Sequence, residues 1–157
     1  MQTELVVGSN EEIVQFDSRW LKNTYPVLIS FDGDKYKSVD EAFYAAQTPI
    51  RNERKYLKEL GYCNKLTIRG DWEDVKIEIM EQFLIQKFTK PRFKRWLIFT
   101  KDLPIEFRNK ECEHFWGKCF CYTCKGIGEN YLGEMIMNIR YSFQEDIENK
   151  GIVVYAK

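Results

Sequence analysis

Four carboxylates stand out among the residues able to do chemistry. Asp40, Glu41 and Asp71 fall where helices are expected to start, and Glu134 follows late in the chain among many aromatics. Paired carboxylates suit glycosidic bonds, where one group activates water and another stabilises an oxocarbenium-like state. The plainer reading is local. Ser38 and Glu41 have the spacing of a capping box, and Asp71 that of an N-cap. Other catalytic apparatus is missing: there is no Walker loop and no dinucleotide fingerprint, and the lone His114 leaves little room for a Ser-His-Asp arrangement.

The second group is sulfur. Of five cysteines, four crowd together as Cys112, Cys119, Cys121 and Cys124, while Cys63 stands apart. An odd number, with no basic-then-apolar leader at the N-terminus, argues against a disulfide framework. Cys-x-Cys-x2-Cys with a fourth cysteine upstream offers four soft ligands in one loop, which suits a structural zinc. Four protein ligands would leave no open position for water. His114 competes for the fourth place, and free thiols behaving as small hydrophobes are the alternative.

Elements must hold these groups in place. Val27–Phe31 is rich in β-formers and runs into Asp32-Gly33, a hairpin signal, with Tyr36 on the return strand. Ser38 opens a helix carrying Ala42, Phe43, Ala45 and Ala46, and a basic helix over 52–60 stops at Gly61. From Asp71 to Phe88, the residues Trp72, Val75, Ile79, Met80, Phe83, Leu84 and Phe88 form one apolar stripe. Pro91 starts a shorter helix with Trp96 and Phe99. A loop is expected over 100–129. A last helix over 130–148 aligns Leu132, Ile136, Ile139, Phe143 and Ile147, and Gly151 hands over to a strand at 152–155. The expectation is an α+β fold, mostly helical, with a small antiparallel sheet in one domain.

Composition agrees with an ordinary globular chain. In 157 residues, 24 basic side chains balance 24 acidic ones, which argues against a protein held on nucleic acid mainly by counterion release but not against one that reads a single nucleotide. No apolar run approaches the roughly 18 residues of a membrane span. A cytoplasmic protein without membrane partners is expected.

Several segments, in order, carry a family resemblance. Leu21-Lys22-Asn23-Thr24-Tyr25-Pro26 is followed by Ser38-Val39-Asp40-Glu41-Ala42-Phe43-Tyr44-Ala45-Ala46-Gln47-Thr48, then by Arg69-Gly70-Asp71-Trp72-Glu73-Asp74-Val75-Lys76 with Met80. Phe115-Trp116-Gly117 comes next, and the series closes with the run from Gly128 to Arg140, Gly-x-Asn-x-Leu-Gly-x-x-x-Met-x-x-Arg. Over 16–143 this resembles the NADAR family, which includes an N-glycosidase acting on riboflavin-pathway intermediates.

The resemblance implies one NADAR-like domain over 1–157 that splits a base or amine from a ribose-phosphate compound. The substrate would be a riboflavin-pathway intermediate or ADP-ribose attached to a nucleic-acid base, with no organic cofactor. Asp71, Trp72, Trp116, Gly117, Asn130, Leu132, Gly133 and Arg140 stand at its motif positions. Catalysis would fall to Asp40, Glu41 and Asp71. Substrate contacts would fall to Asn23, Tyr44, Trp72, Trp116, Gly117, Asn130, Gly133, Glu134 and Arg140. Either tryptophan can stack on a base, Arg140 can pair with phosphate, and Asn130 can orient a ribose hydroxyl. Where the family usually has Glu, His, Gln and Lys, this chain has Asp40, Glu41, Tyr44 and Gln47. Those changes shorten a carboxylate's reach and remove an imidazole and an amine. They motivate an alternative, a catalytically inactive binder of ADP-ribose- or NAD-like nucleotides.

Overall fold

A tight turn organises the first part of the chain. In the computed structural model, which describes residues 4–7 and 18–151, Asp32 and Gly33 hold φ of 48° and 80°. Two successive left-handed residues make the primed turn that matches strand twist, which is why Asp-Gly stands here. The turn joins a two-stranded antiparallel hairpin, β2 (Ile29–Phe31) and β3 (Asp34–Tyr36), with Ile29 opposite Tyr36 and both buried. Helix α1 (Val39–Ala46) follows, then α2 (Arg51–Leu60), stopped by Gly61 at φ 75°. Helix α3 (Trp72–Phe88) turns Trp72, Met80, Phe83, Leu84 and Phe88 inward, while Val75 and Ile79 are only half-buried. These elements belong to one compact unit, Lys22–Thr89, here called the hairpin unit, in which α1 packs on α2, α3 and the hairpin.

The second unit joins Met1–Leu21 to Lys90–Lys157. Its helices are α4 (Pro91–Phe99), begun by a proline whose missing N–H costs nothing at that position, and α5 (Tyr131–Asn149). Trp20, in a short 3-10 turn, packs against Trp96 with ring centroids 5.6 Å apart. Helix α5 buries Leu132, Ile136, Ile139 and Phe143 against α4 and a three-stranded sheet. In that sheet, β4 (Ile105–Asn109) is central, with β1 (Glu4–Val7) antiparallel on one side and β5 (Lys118–Cys119) parallel on the other.

The mostly helical α+β expectation holds, with two corrections. The sheet beyond the hairpin is mixed rather than antiparallel, and two of its strands occupy the stretch 100–129 that was expected to be loop. The strand expected over 152–155 lies outside the described residues. Among the described residues no helix is long and apolar enough to cross a membrane.

Candidate functional site

In the hairpin unit, the first turn of α1 sorts its two acids into different jobs. Ser38 caps the helix, its Oγ accepting the Glu41 N–H at 3.1 Å. The Glu41 carboxylate reaches back to accept the Lys37 N–H, so the capping box closes one residue earlier than its usual form. Asp40 is different. Its N–H donates to the Asn23 carbonyl at 2.9 Å, but its carboxylate makes no hydrogen bond or ion pair among the described residues. Asp40 is an exposed residue, yet the protein packed around its carboxyl raises its pKa above the ordinary aspartate range by desolvation. Charge left unneutralised and partly stripped of water is what a proton-transferring group needs.

The turn over residues 22–25 lies beside that acid, held between α1 and α3. Asn23 Nδ2 donates to Met80 Sδ at 3.6 Å, while Asn23 Oδ1 is buried and has no hydrogen-bond partner among the described residues. An unsatisfied buried acceptor is costly and calls for a donor from outside the unit's own residues. Lys87 holds the same turn from α3. Its Nζ donates to the Lys22 carbonyl at 2.8 Å, lies 6.0 Å from the Tyr25 ring centroid, and is fully buried. Burial brings its pKa down to about 7. Sequence reasoning missed Lys87. The available signal was its place seven residues after Met80, on the helix's inward face.

The other expected residues of this unit are committed to structure or simply exposed. Asp71 occupies the N-cap position of α3 but makes no cap bond. Its carboxylate instead takes Arg69 bidentately, at 2.6 and 2.9 Å, and that pairing lowers its pKa. Trp72 is buried, its ring centroid 4.9 Å from that of Phe43, so its place is in the core. Tyr44 is exposed.

In the second unit, most expected substrate contacts are spent on the scaffold. Asn130 is 2% exposed, and both ends of its amide bind β4: Nδ2 donates to the Ile105 carbonyl, and Oδ1 accepts the Phe107 N–H. One amide donor and the amide oxygen are thus engaged in joining α5 to β4. Arg140, also buried, donates through Nη1 to Thr100 Oγ1 and the Leu103 carbonyl, both at 2.8 Å. A Cβ on Gly133 would stand 2.2 Å from the Ile105 carbonyl oxygen, and one on Gly117 would stand 2.3 Å from that of Phe107. Both glycines are there because backbones meet. Trp116 is half-buried, edge-on to Phe115, and Glu134 is exposed on the first turn of α5. One anchor went unrecognised: the Glu113 carboxylate accepts the N–H groups of Phe115, Trp116 and Gly117 at 2.8–2.9 Å and so shapes the tryptophan loop.

The structure gathers the four cysteines expected to bind metal. The Sγ atoms of Cys112, Cys119, Cys121 and Cys124 all lie within 4.8 Å of one another. Cys112 is 3.8 Å from Cys121 and 3.7 Å from Cys124. A tetrahedron with metal–sulfur bonds of about 2.3 Å has edges of about 3.8 Å, so these spacings fit one ion. The Cys121 N–H points at Cys119 Sγ and the Cys124 N–H at Cys121 Sγ. The latter, with further donors, draws the Cys121 thiol down to about 6, whereas Cys124, beside Cys121, is pushed up. His114 stands outside the group, its Nε2 3.1 Å from Cys124 Sγ.

Comparison with known proteins bears on this geometry. The sequence model of the NADAR domain matches residues 17–144. The N-glycosidase Npun_R5314 of Nostoc punctiforme is 30% identical over 78% of this chain and 72% of its own length. Two proteins named for riboflavin biosynthesis also match: chloroplastic PYRR of Arabidopsis thaliana, 38% identical over 48% of this chain, and VVA0006 of Vibrio vulnificus, 27% identical over 80%. The chain spans 12% and 36% of their lengths. The NMR structure of E. coli YbiA superposes with a TM-score of 0.66, covering 91% of this chain and 87% of YbiA at 20% identity, a likeness of fold.

Proposed function

This chain belongs to the NADAR family, and on that footing we propose that it hydrolyses the N-glycosidic bond of a ribose-phosphate compound. The substrate class is a riboflavin-pathway intermediate or ADP-ribose carried on a nucleic-acid base. The single observation that carries the assignment to this chain's own residues is Asp40. Of the three carboxylates expected to be catalytic, only that of Asp40 has no hydrogen-bond or ion-pair partner among the described residues, and its pKa is raised.

In the proposed step, a water oxygen bonds to the anomeric carbon while its proton passes to the Asp40 carboxylate. The C–N bond breaks with its electron pair going to the leaving nitrogen, which is protonated from solvent. The same carboxylate, before protonation, faces the developing ribosyl cation. Asn23 Oδ1 accepts a substrate hydroxyl, the donor it lacks among the described residues. Glu41 and Asp71 support the site by capping α1 and by holding Arg69, not by transferring protons.

The match runs through both units, and the proposal treats them as one NADAR-like domain. The cysteine cluster is proposed to hold zinc as a structural ion, since four thiolates leave no open coordination position.

The test offers purified protein riboflavin-pathway intermediates and an ADP-ribosylated base, and follows base release by mass spectrometry. Release well above that of Asp40→Asn is expected; equal release by both proteins ends the proposal. A second reading, capture of ADP-ribose-like nucleotides without cleavage, is favoured by the Glu41 carboxylate being spent on Lys37 and by the amide Gln47 standing where the family has an amine. Calorimetry with ADP-ribose, followed by recovery of intact ligand, would support it; absence of binding would remove it.

A further inference from the structure

Helix α5 begins in an unusual way. Asn130, at its N-cap position, holds φ 54° and gives the helix no side-chain cap. The first free N–H groups are met by main-chain carbonyls of the tryptophan loop: Tyr131 donates to Phe115 at 3.2 Å and Leu132 to Trp116 at 3.1 Å. Glu129 donates to His114 at 2.7 Å just before them. Segments 114–117 and 129–132 therefore hold one another, and the order of each depends on the other.

The cysteines bracket this pairing. Cys112 precedes the first segment, and Cys119, Cys121 and Cys124 lie in the stretch that joins it to the second. Within that stretch Cys119 donates to the Ile127 carbonyl at 2.8 Å and accepts from the Gly126 N–H at 2.7 Å. A Cβ on Gly128 would stand 2.1 Å from the Gly117 carbonyl oxygen, so the chain leaving the cluster lies directly on the loop. Little apolar burial supports the stretch: Tyr122 is 93% and Ile127 62% exposed. Loops this poor in core are held by staples.

We infer that one metal ion bound by the four thiolates fastens the start of α5 to the tryptophan loop, so that the order of Trp116–Gly117 and of Tyr131–Leu132 is linked to metal occupancy. The inference rests on the zinc assignment above and goes beyond it; it asks nothing of the glycosidic reaction. Metal binding favours whichever state presents the ligands together, and the free energy of binding appears as order in the segments that carry them.

The test uses the full chain with and without zinc. Metal analysis should give one zinc per chain, and cobalt in its place should give the absorption of a four-thiolate tetrahedral site. Hydrogen exchange should be at least about tenfold faster at the amides of Glu129, Tyr131 and Leu132 after chelation, with the α3 amides unchanged. Cys112→Ser, at the most exposed ligand, should reproduce that pattern in milder form, while His114→Ala should keep one zinc per chain. Zinc bound with no change in exchange at those three amides overturns the inference and leaves the zinc assignment standing. No bound zinc overturns both, and loss of zinc in His114→Ala overturns the four-thiolate set.

Discussion

The two units differ in how they treat the polar groups expected to meet a ligand. In the unit of β4 and α5, Asn130, Arg140, Asn109 and Glu113 are each consumed by backbone groups of their own unit. In the hairpin unit, the Asp40 carboxylate and the oxygen of Asn23 are left without a partner among the described residues. The first pattern lowers the cost of burial and makes a frame. The second leaves the cost standing, as sites prepared for a ligand do. A family motif is thus not one kind of information. Its Gly-x-Asn-x-Leu-Gly portion records how α5 meets β4, whereas the short Ser38–Gln47 portion holds the carboxylate on which the proposed reaction rests.

Substitutions can break this contrast, and the largest effect is expected at Asp40. Asp40→Asn should lower turnover by roughly 10²–10⁴-fold, with thermal stability nearly unchanged. In the wild type, the acid limb of the pH–rate profile should lie above the ordinary aspartate pKa of about 3.9. Stability loss matching the activity loss would place Asp40 with the frame instead. Next comes Gly133→Ala, whose new Cβ meets the Ile105 carbonyl; it should cost about 3 kcal/mol in denaturant unfolding, the upper part of the usual overpacking range. A neutral outcome would mean that α5 does not approach β4 this closely.

Lys87 gives a smaller, pH-dependent signature. Its native pKa of about 7 lies below the unfolded value of about 10.4, so across that window the unfolded chain binds the extra proton and stability rises with pH; below 7 the effect is flat. Relative to Lys87→Met, the wild type should gain about 2 kcal/mol between pH 7 and 9. Parallel stability curves for the two proteins would contradict a buried amine. The smallest effect is expected from Glu41→Gln. Weakening the bond to Lys37 should cost about 0.5–1 kcal/mol of stability, and turnover should fall far less than in Asp40→Asn. Comparable losses of turnover would return Glu41 to the catalytic group.

How much of this was legible depended on distance along the chain. Asp32-Gly33, Ser38 with Glu41, Gly61 and the Trp72–Phe88 stripe act within a few residues, and the elements they mark formed within a residue or two of expectation. The stretch Ile105-Glu106-Phe107-Arg108-Asn109 alternates as a half-buried strand should, but five residues after a proline make a weak signal, and the two residues of β5 make none. The site's roles were harder still. Arg140 and Asn130 have the chemistry of ligand-binding residues, and only the carbonyls of Leu103 and Ile105, more than twenty residues away, reveal them as frame. The reverse holds for the cysteines, where spacing alone carried the grouping.

The way α5 starts has a consequence for how such a protein changes over generations. Because carbonyls of Phe115 and Trp116 meet the helix's first donors, the side chains at 115, 116 and 131 are not needed for that duty. A replacement there that keeps the backbone path, and the packing of the three rings, leaves the helix's first donors met. The rim beside the helix is thereby open to selection for a new ligand, while the architecture beneath it is inherited unchanged.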